Sequence, residues 1–234
     1  MASPAQLKTA GSLLLVTFIA VLVIIFMPIF PGNTAGKKIT GLDYIDNFFN
    51  QLAKSSAYYI PDQIKKTEKF NGQQFSATLK MKSADEATVT AKLLATNQIT
   101  AAADGDKVKV SGDLGAVLTV MLKDVDLMYK NDGKALTAKY GIDERLAVYT
   151  WHQAMTATSK DLDKAGQSVQ AKFILNCLSK AVEPAYNFYQ IEAKPVKEEM
   201  MMLIAALTFY VVYTVWYGFG LLYLFEGLGI KLEH

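Results

Sequence analysis

His152 is the residue in this chain best suited to acid–base chemistry, because an imidazole titrates near neutrality. It lies in the run Tyr149-Thr-Trp-His-Gln153. A catalytic histidine needs a nucleophile to activate and a third group to orient it. No Gly-x-Ser-x-Gly elbow accompanies His152. A hydrogen-bonded structural histidine is therefore the expectation. The other histidine, His234, ends the chain in Leu-Glu-His, a run that also opens a common expression tag, and it is assigned no role. The chain has no Cys-x-x-Cys-His motif and no histidine in its apolar segments, which excludes covalent c-type haem and haem b ligated within those segments by this chain.

Three aspartate pairs carry the other obvious chemistry: Asp104/Asp106, Asp124/Asp126 and Asp161/Asp163. Paired carboxylates serve glycoside hydrolysis, and denser oxygen clusters hold Ca²⁺. Asp104 and Asp106 flank Gly105 and read as turn chemistry. The other two pairs are spaced i, i+2 on expected helices, so their members point to different faces. Solvated surface is the expectation for them. Cys177 sits among Phe173, Ile174 and Leu178, with Lys180 three residues on, and reads as a buried inert thiol. One cysteine precludes an internal disulfide, a cysteine zinc site or a cysteine-ligated iron–sulfur cluster. No Walker loop and no dinucleotide glycine fingerprint is present. No catalytic residue, metal or cofactor is expected.

The segment with the most informative pattern is apolar. Phe209, Tyr213, Trp216 and Tyr223 recur at i, i+4, i+7 and i+14, with Tyr210 and Tyr217 alongside and Gly220 in the same stripe. Aromatic belts explain rings at the ends of a membrane span, not at its centre. Central tyrosine and tryptophan tips need partners where the solvent offers none. Glycine permits close helix approach. This face reads as packed on another integral membrane protein, or on a quinone, pigment or lipid held by one. The competing reading packs it on the first apolar segment of the same chain, whose one central polar group is Thr17.

These residues belong to two long apolar runs. The chain has 234 residues, 51% of them hydrophobic and 20% charged, and a mean hydropathy of +0.17. Thr9 to Gly36 and Met200 to Phe225 contain no charged residue. About 20 apolar residues cross a hydrocarbon core. The expected organisation is a tail over residues 1–10, a transmembrane helix and uncleaved signal anchor over 11–30, an extramembrane α+β domain over 37–198, a second transmembrane helix over 200–225 and a tail over 226–234. The near balance of 24 basic and 22 acidic residues argues against nucleic acid as a partner. The expected partners are the lipid bilayer and other integral membrane proteins. The basic residues Lys37, Lys38, Lys194 and Lys197 flank the middle domain, and Lys8 and Lys231 lie in the tails. The positive-inside rule is weak for long translocated domains. The expectation is an extracytoplasmic middle domain with cytoplasmic termini.

Within the middle domain, residues 40–58 read as an amphipathic helix with Thr40 as N-cap, and Pro61 opens a second short helix. Phe75 to Lys82 alternates as a strand. Ser83-Ala-Asp-Glu86 is a capping box that starts a helix reaching Thr96. Ile99 to Ala103 and Lys107 to Ser111 read as a hairpin about Asp104-Gly-Asp106. Asp113 caps a helix to Tyr129. That order, βαββα over residues 74–131, is most of a ferredoxin-like unit, and Lys134 to Lys139 is the candidate for its last strand. The remainder, 142–190, reads as two helices, Asp143 to Ser159 and Leu162 to Tyr189, interrupted at Pro184. With 40–58 they are expected to form a small bundle. The fold class is thus an α+β membrane protein: two transmembrane helices flank a mostly helical domain with a small ferredoxin-like unit.

Three functions fit. The first is a non-catalytic accessory or scaffolding subunit of a larger membrane complex. The second is a ligand-binding or sensor module that signals laterally through a membrane partner. The third is a membrane-anchored enzyme using Asp143, Glu144, Tyr149 and His152.

Overall fold

The computed structural model describes residues 2–32 and 36–230. Part of the expected Pro31–Gly36 loop, and Lys231 with the Leu232-Glu233-His234 end, lie outside the described residues. The chain divides into two compact units: Met1–Ser55 with Ala193–His234, and Ser56–Glu192.

The first unit contains the two apolar helices. Helix α1 covers Pro4–Phe26. Its start is local chemistry: Gln6 N–H donates to Ser3 Oγ at 3.3 Å, and Ser3 N–H donates to Gln6 Oε1 at 2.8 Å. It stops at Phe26, short of the expected residue 30, because Pro28 disfavours helical geometry at Met27, which is extended. At 1.5 Å per residue its 23 residues span about 35 Å. A two-residue ribbon follows, β1 (Phe30–Pro31) paired antiparallel with β2 (Lys38–Ile39). Helix α2 (Gly41–Ser56) begins where Thr40 Oγ1 accepts from Asp43 N–H at 3.1 Å. The last helix of the chain, Met200–Leu228, extends three residues past the expected boundary. Gly229, at φ +74°, ends it in a left-handed cap, with Ile230 N–H reaching Phe225 O at 3.0 Å. Both apolar helices are long and apolar enough to cross a bilayer, and almost none of either is buried.

The second unit is built on a three-stranded antiparallel sheet in the order β3-β5-β4. Helix α3 (Ile60–Thr67) and a 3₁₀ turn lead into β3 (Gln74–Lys80). The strict alternation of β3 buries Phe75, Ala77 and Leu79. Helix α4 (Ala84–Thr96) starts on the Ser83 cap, with Glu86 N–H on Ser83 Oγ at 3.2 Å. Strands β4 (Thr100–Asp104) and β5 (Lys107–Asp113) meet at a two-residue turn with Gly105 at φ +58°. Asp113 then caps α5 (Leu114–Tyr129) through Ala116 N–H at 2.8 Å.

The expected fourth strand is absent. Residues Gly133–Tyr140 form helix α6, which buries Leu136 and Tyr140 one turn apart. The strand order of the sheet is that of a split βαβ, but the sheet closes at three strands. Helix α7 (Glu144–Lys164) runs unbroken through the expected gap after Ser159 and ends instead at Ala165, with Gly166 at φ +79°. Helix α8 (Ser168–Cys177) passes through a π-turn over Leu178–Val182 into α9 (Glu183–Asn187). Pro184, at the start of α9, has no N–H to give the carbonyl four residues back, and the helix widens just before it. Trp151, Met121, Leu122, Met128, Met155 and Ile174 are fully buried at the centre of this unit. Truncating such a side chain to alanine costs on the order of 2–5 kcal/mol.

Candidate functional site

Helix α10, the Met200–Leu228 helix, carries the aromatic stripe. It packs along α1 through glycines. A Cβ at Gly11 would lie 2.5 Å from the backbone nitrogen of Leu224, and one at Gly227 would lie 2.6 Å from the nitrogen of Lys8. A Cβ at Gly220 would meet the Leu15 side chain at 2.9 Å. The hydrogen bonds follow from this closeness. Trp216 Nε1–H donates to Leu14 O at 3.0 Å, and Tyr213 O–H donates to Phe18 O at 3.1 Å. The Phe18 ring stacks on Tyr213 at 4.2 Å and meets Tyr217 at 5.0 Å.

The aromatic stripe is therefore divided. Tyr213, Trp216 and Gly220 face α1, as the competing reading of this stripe required. Phe209 and Tyr210 are exposed, at 50% and 69%. Tyr217 touches Phe18 and is still 44% exposed. Tyr223 is half-buried and lies 5.9 Å from Phe219. Among the described residues, neither the Tyr210 nor the Tyr217 hydroxyl meets an acceptor, whereas the Tyr213 hydroxyl does.

A second candidate lies in the sheet-containing unit. Val148, Tyr149 and His152 on α7 face Val182, Glu183, Tyr186 and Asn187 around a cavity of about 170 Å³. His152 Nε2 lies 3.6 Å from Glu183 Oε1. The Tyr149 hydroxyl accepts from Lys82 Nζ at 2.9 Å and from Gln153 Nε2 at 2.6 Å. His152 thus has a carboxylate partner across the cavity, but no serine, threonine or cysteine lines the wall. Of the residues considered for an enzyme, Tyr149 and His152 meet here. Asp143 is spent capping α7, through Arg145 and Leu146 N–H at 2.9 and 3.1 Å. Glu144 accepts from Thr137 at 2.9 Å and Tyr189 at 2.8 Å. Those bonds, with its own backbone N–H, hold the Glu144 carboxyl below its usual range.

Glu183 and Tyr186 escape sequence reasoning because their direction depends on the π-turn. An extra residue in the turn rotates everything after it by about 100°.

Asp104 and Asp106 flank the turn and Asp163 is exposed, whereas Asp124 departs from expectation. Asp124 is 2% exposed rather than solvated. It accepts from Trp151 Nε1 at 2.9 Å, from Lys139 Nζ at 2.7 Å and from the Tyr140 hydroxyl. Burial and the Asp124 carboxylate together push the Tyr140 phenol well up. A signal existed: Asp124 lies three residues after Met121 and four before Met128, inside the apolar stripe of α5. Asp126 accepts from Tyr58 O–H at 2.7 Å and Lys130 Nζ at 2.6 Å. Asp161 accepts from Thr78 N–H at 2.9 Å, covering part of the free edge of β3. Asp124 is buried and engages the Trp151, Tyr140 and Lys139 tips, so it belongs to the core of this unit.

No family model matches this chain, and no curated protein or solved structure matches it either.

Proposed function

We propose that this protein is a non-catalytic accessory subunit of a larger membrane assembly, held in the bilayer by α1 and α10 and packed on its partner through the outward part of the α10 stripe. The observation that carries the reading is the division of that stripe. Tyr213 and Trp216 find acceptors on α1, while the Tyr210 and Tyr217 hydroxyls meet no acceptor among the described residues and both side chains are exposed. In hydrocarbon an unpaired hydroxyl is costly, and a second membrane protein with accessible carbonyls relieves that cost. The same reading places residues 37–198 outside the cytoplasm and both termini inside. The three-stranded unit is read as a ferredoxin-like fold that has lost its fourth strand. Gentle detergent extraction, size separation and mass spectrometry test the proposal. Stoichiometric co-migration with larger membrane proteins supports it. A lone monomer or a homo-oligomer sinks it.

The cavity at His152 favours a second reading, a ligand-binding module. Its lining is mostly apolar, with His152, Glu183 and Asn187 as polar groups, the usual make-up of a small-molecule site. The lack of a nucleophile in its wall supports binding over catalysis.

A further inference from the structure

The chain's 24 basic residues include a single arginine, Arg145. It lies one turn before Val148 on α7, next to the cavity wall and not itself among the lining residues. Arg145, Val148, Tyr149 and His152 are spaced i, i+3, i+4 and i+7, so they share one stripe of α7. The guanidinium carbon stands 5.4 Å from the ring centre of Tyr186, a wall of the cavity, and 5.1 Å from that of Tyr189. The guanidinium thus lies within cation–π range of two tyrosine rings, and such contacts with ring faces use none of its N–H donors. Among the described residues Arg145 makes no ion pair: Glu144, next to it, is bound to Thr137 and Tyr189, and Glu183 faces His152. A lysine suffices for solubility, and every other basic residue in this chain is one. A planar fork held beside an apolar cavity suits a carboxylate, which it binds through two parallel hydrogen bonds.

We infer that the cavity between α7 and α9 binds a compact monocarboxylate, with its carboxylate on Arg145 and its apolar body between Val148, Val182 and the rings of Tyr149 and Tyr186. Glu183 and Glu144 lie close enough to disfavour a dianion such as a phosphate monoester. A cationic ligand is disfavoured as well, because Arg145 stands over Tyr186 and Lys82 Nζ lies 5.7 Å from the centre of the Tyr149 ring. His152 adds a third polar contact.

The inference rests on the ligand-binding reading of the cavity, and the test separates the two. The full chain in detergent is titrated with benzoate, benzamide and benzylamine by saturation-transfer NMR. The expected result is saturable binding of benzoate, with both other probes weaker. Arg145→Lys, which keeps the charge and removes the fork, weakens benzoate by roughly tenfold. Retention of the native far-UV and near-UV circular dichroism reports whether the variant is intact. Benzamide binding as tightly as benzoate overturns the carboxylate assignment and leaves the cavity a site. Benzoate binding unchanged by Arg145→Lys in the intact variant overturns the assignment to Arg145. Failure of all three probes to bind overturns the ligand-binding reading as well.

Discussion

The indole N–H of Trp216 donates to the carbonyl oxygen of Leu14 at 3.0 Å, so a polar group near the middle of α10 is satisfied by the backbone of α1. The same oxygen also accepts from the Thr17 hydroxyl at 3.0 Å, so Leu14 O is shared between a donor of its own helix and the indole. The indole reaches it because Gly220, one turn on, brings the helices together.

Gly11 therefore controls this pair more strongly than Trp216 does. Trp216→Phe removes one interhelical hydrogen bond, expected to cost about 0.6 kcal/mol and at most about 1.7 kcal/mol. Gly11→Val places a side chain where even a Cβ is 2.5 Å from the Leu224 backbone, which cannot yield without separating the helices. Equilibrium unfolding in mixed micelles should show the valine variant losing several times more stability than the phenylalanine variant. Equal losses would mean that the glycine contact is not what joins α1 and α10.

Tyr210 should distinguish packing on α1 from packing on a partner. It is exposed and makes no side-chain hydrogen bond among the described residues, so Tyr210→Phe should leave the stability of the isolated chain within about 0.5 kcal/mol. A photo-crosslinking residue at position 210 should capture a second membrane protein, while one at position 213 should link to α1. Capture of lipid alone at position 210 would contradict the accessory-subunit reading.

Asp124 organises the centre of the second unit. Asp124→Ala leaves the Trp151 indole N–H and the Tyr140 hydroxyl buried with no carboxylate, while Lys139, which is exposed, turns to solvent. Each buried donor left unpaired costs about 1–3 kcal/mol, and this change leaves two. Trp151→Phe removes one donor and keeps most of the ring, so its cost should be nearer 1–3 kcal/mol. Urea denaturation of the two variants orders them. A smaller loss for Asp124→Ala than for Trp151→Phe would show that the carboxylate does not anchor the network.

The caps at Thr40, Ser83 and Asp113 were legible in the sequence, because each is decided by residues two or three positions apart. So was the period-two pattern of β3. The two apolar helices were legible from length and composition, although Pro28 shortened the first. What could not be read depends on contacts distant in sequence. Lys134 to Lys139 is the candidate last strand because the βαββα order needs one, yet Leu136 and Tyr140 pack as one helical face. Asp124 looked like surface until Trp151 and Tyr140, from two other helices, met it. The cavity at His152 depends on the π-turn, and nothing local marks an inserted residue except the proline that follows it. The division of the α10 stripe needed the register of α1, which no periodicity supplies.

Stability should fall at alkaline pH in a predictable window. Burial, and then the neighbouring phenols of Tyr58 and Tyr59, push the Tyr129 phenol up to about 12. An unfolded tyrosine ionises near 10. Below about 10 the phenol is protonated in both states. Between about 10 and 12 only the unfolded chain releases the proton, so the folded state binds more protons and stability drops as pH rises. The stabilisation is complete below pH 10 and lost as pH passes through 12. Tyr129→Phe should flatten the pH dependence of the unfolding midpoint in this window. An unchanged slope would place the alkaline loss on other groups.

Cys177 offers a direct reading of how tightly the second unit is closed. Its thiol is fully buried and donates weakly to Gln63 Oε1 at 3.8 Å. Burial raises the thiol pKa to about 12, and Lys66 and Lys69 pull it down only in part. The thiolate is the nucleophile, so at pH 8 a thiol with that pKa presents on the order of one reactive form in ten thousand. Enclosure removes access as well. Labelling by a maleimide then requires the α8 region to open, and its rate measures that opening. The expected result is protection for hours in the native protein and complete labelling within minutes in denaturant. When opening and closing outpace modification, the protection factor gives the free energy of opening, and Asp124→Ala should lower it. Rapid native labelling would show that the helix carrying Cys177 is loosely held and that the cavity beside its π-turn is not a fixed site.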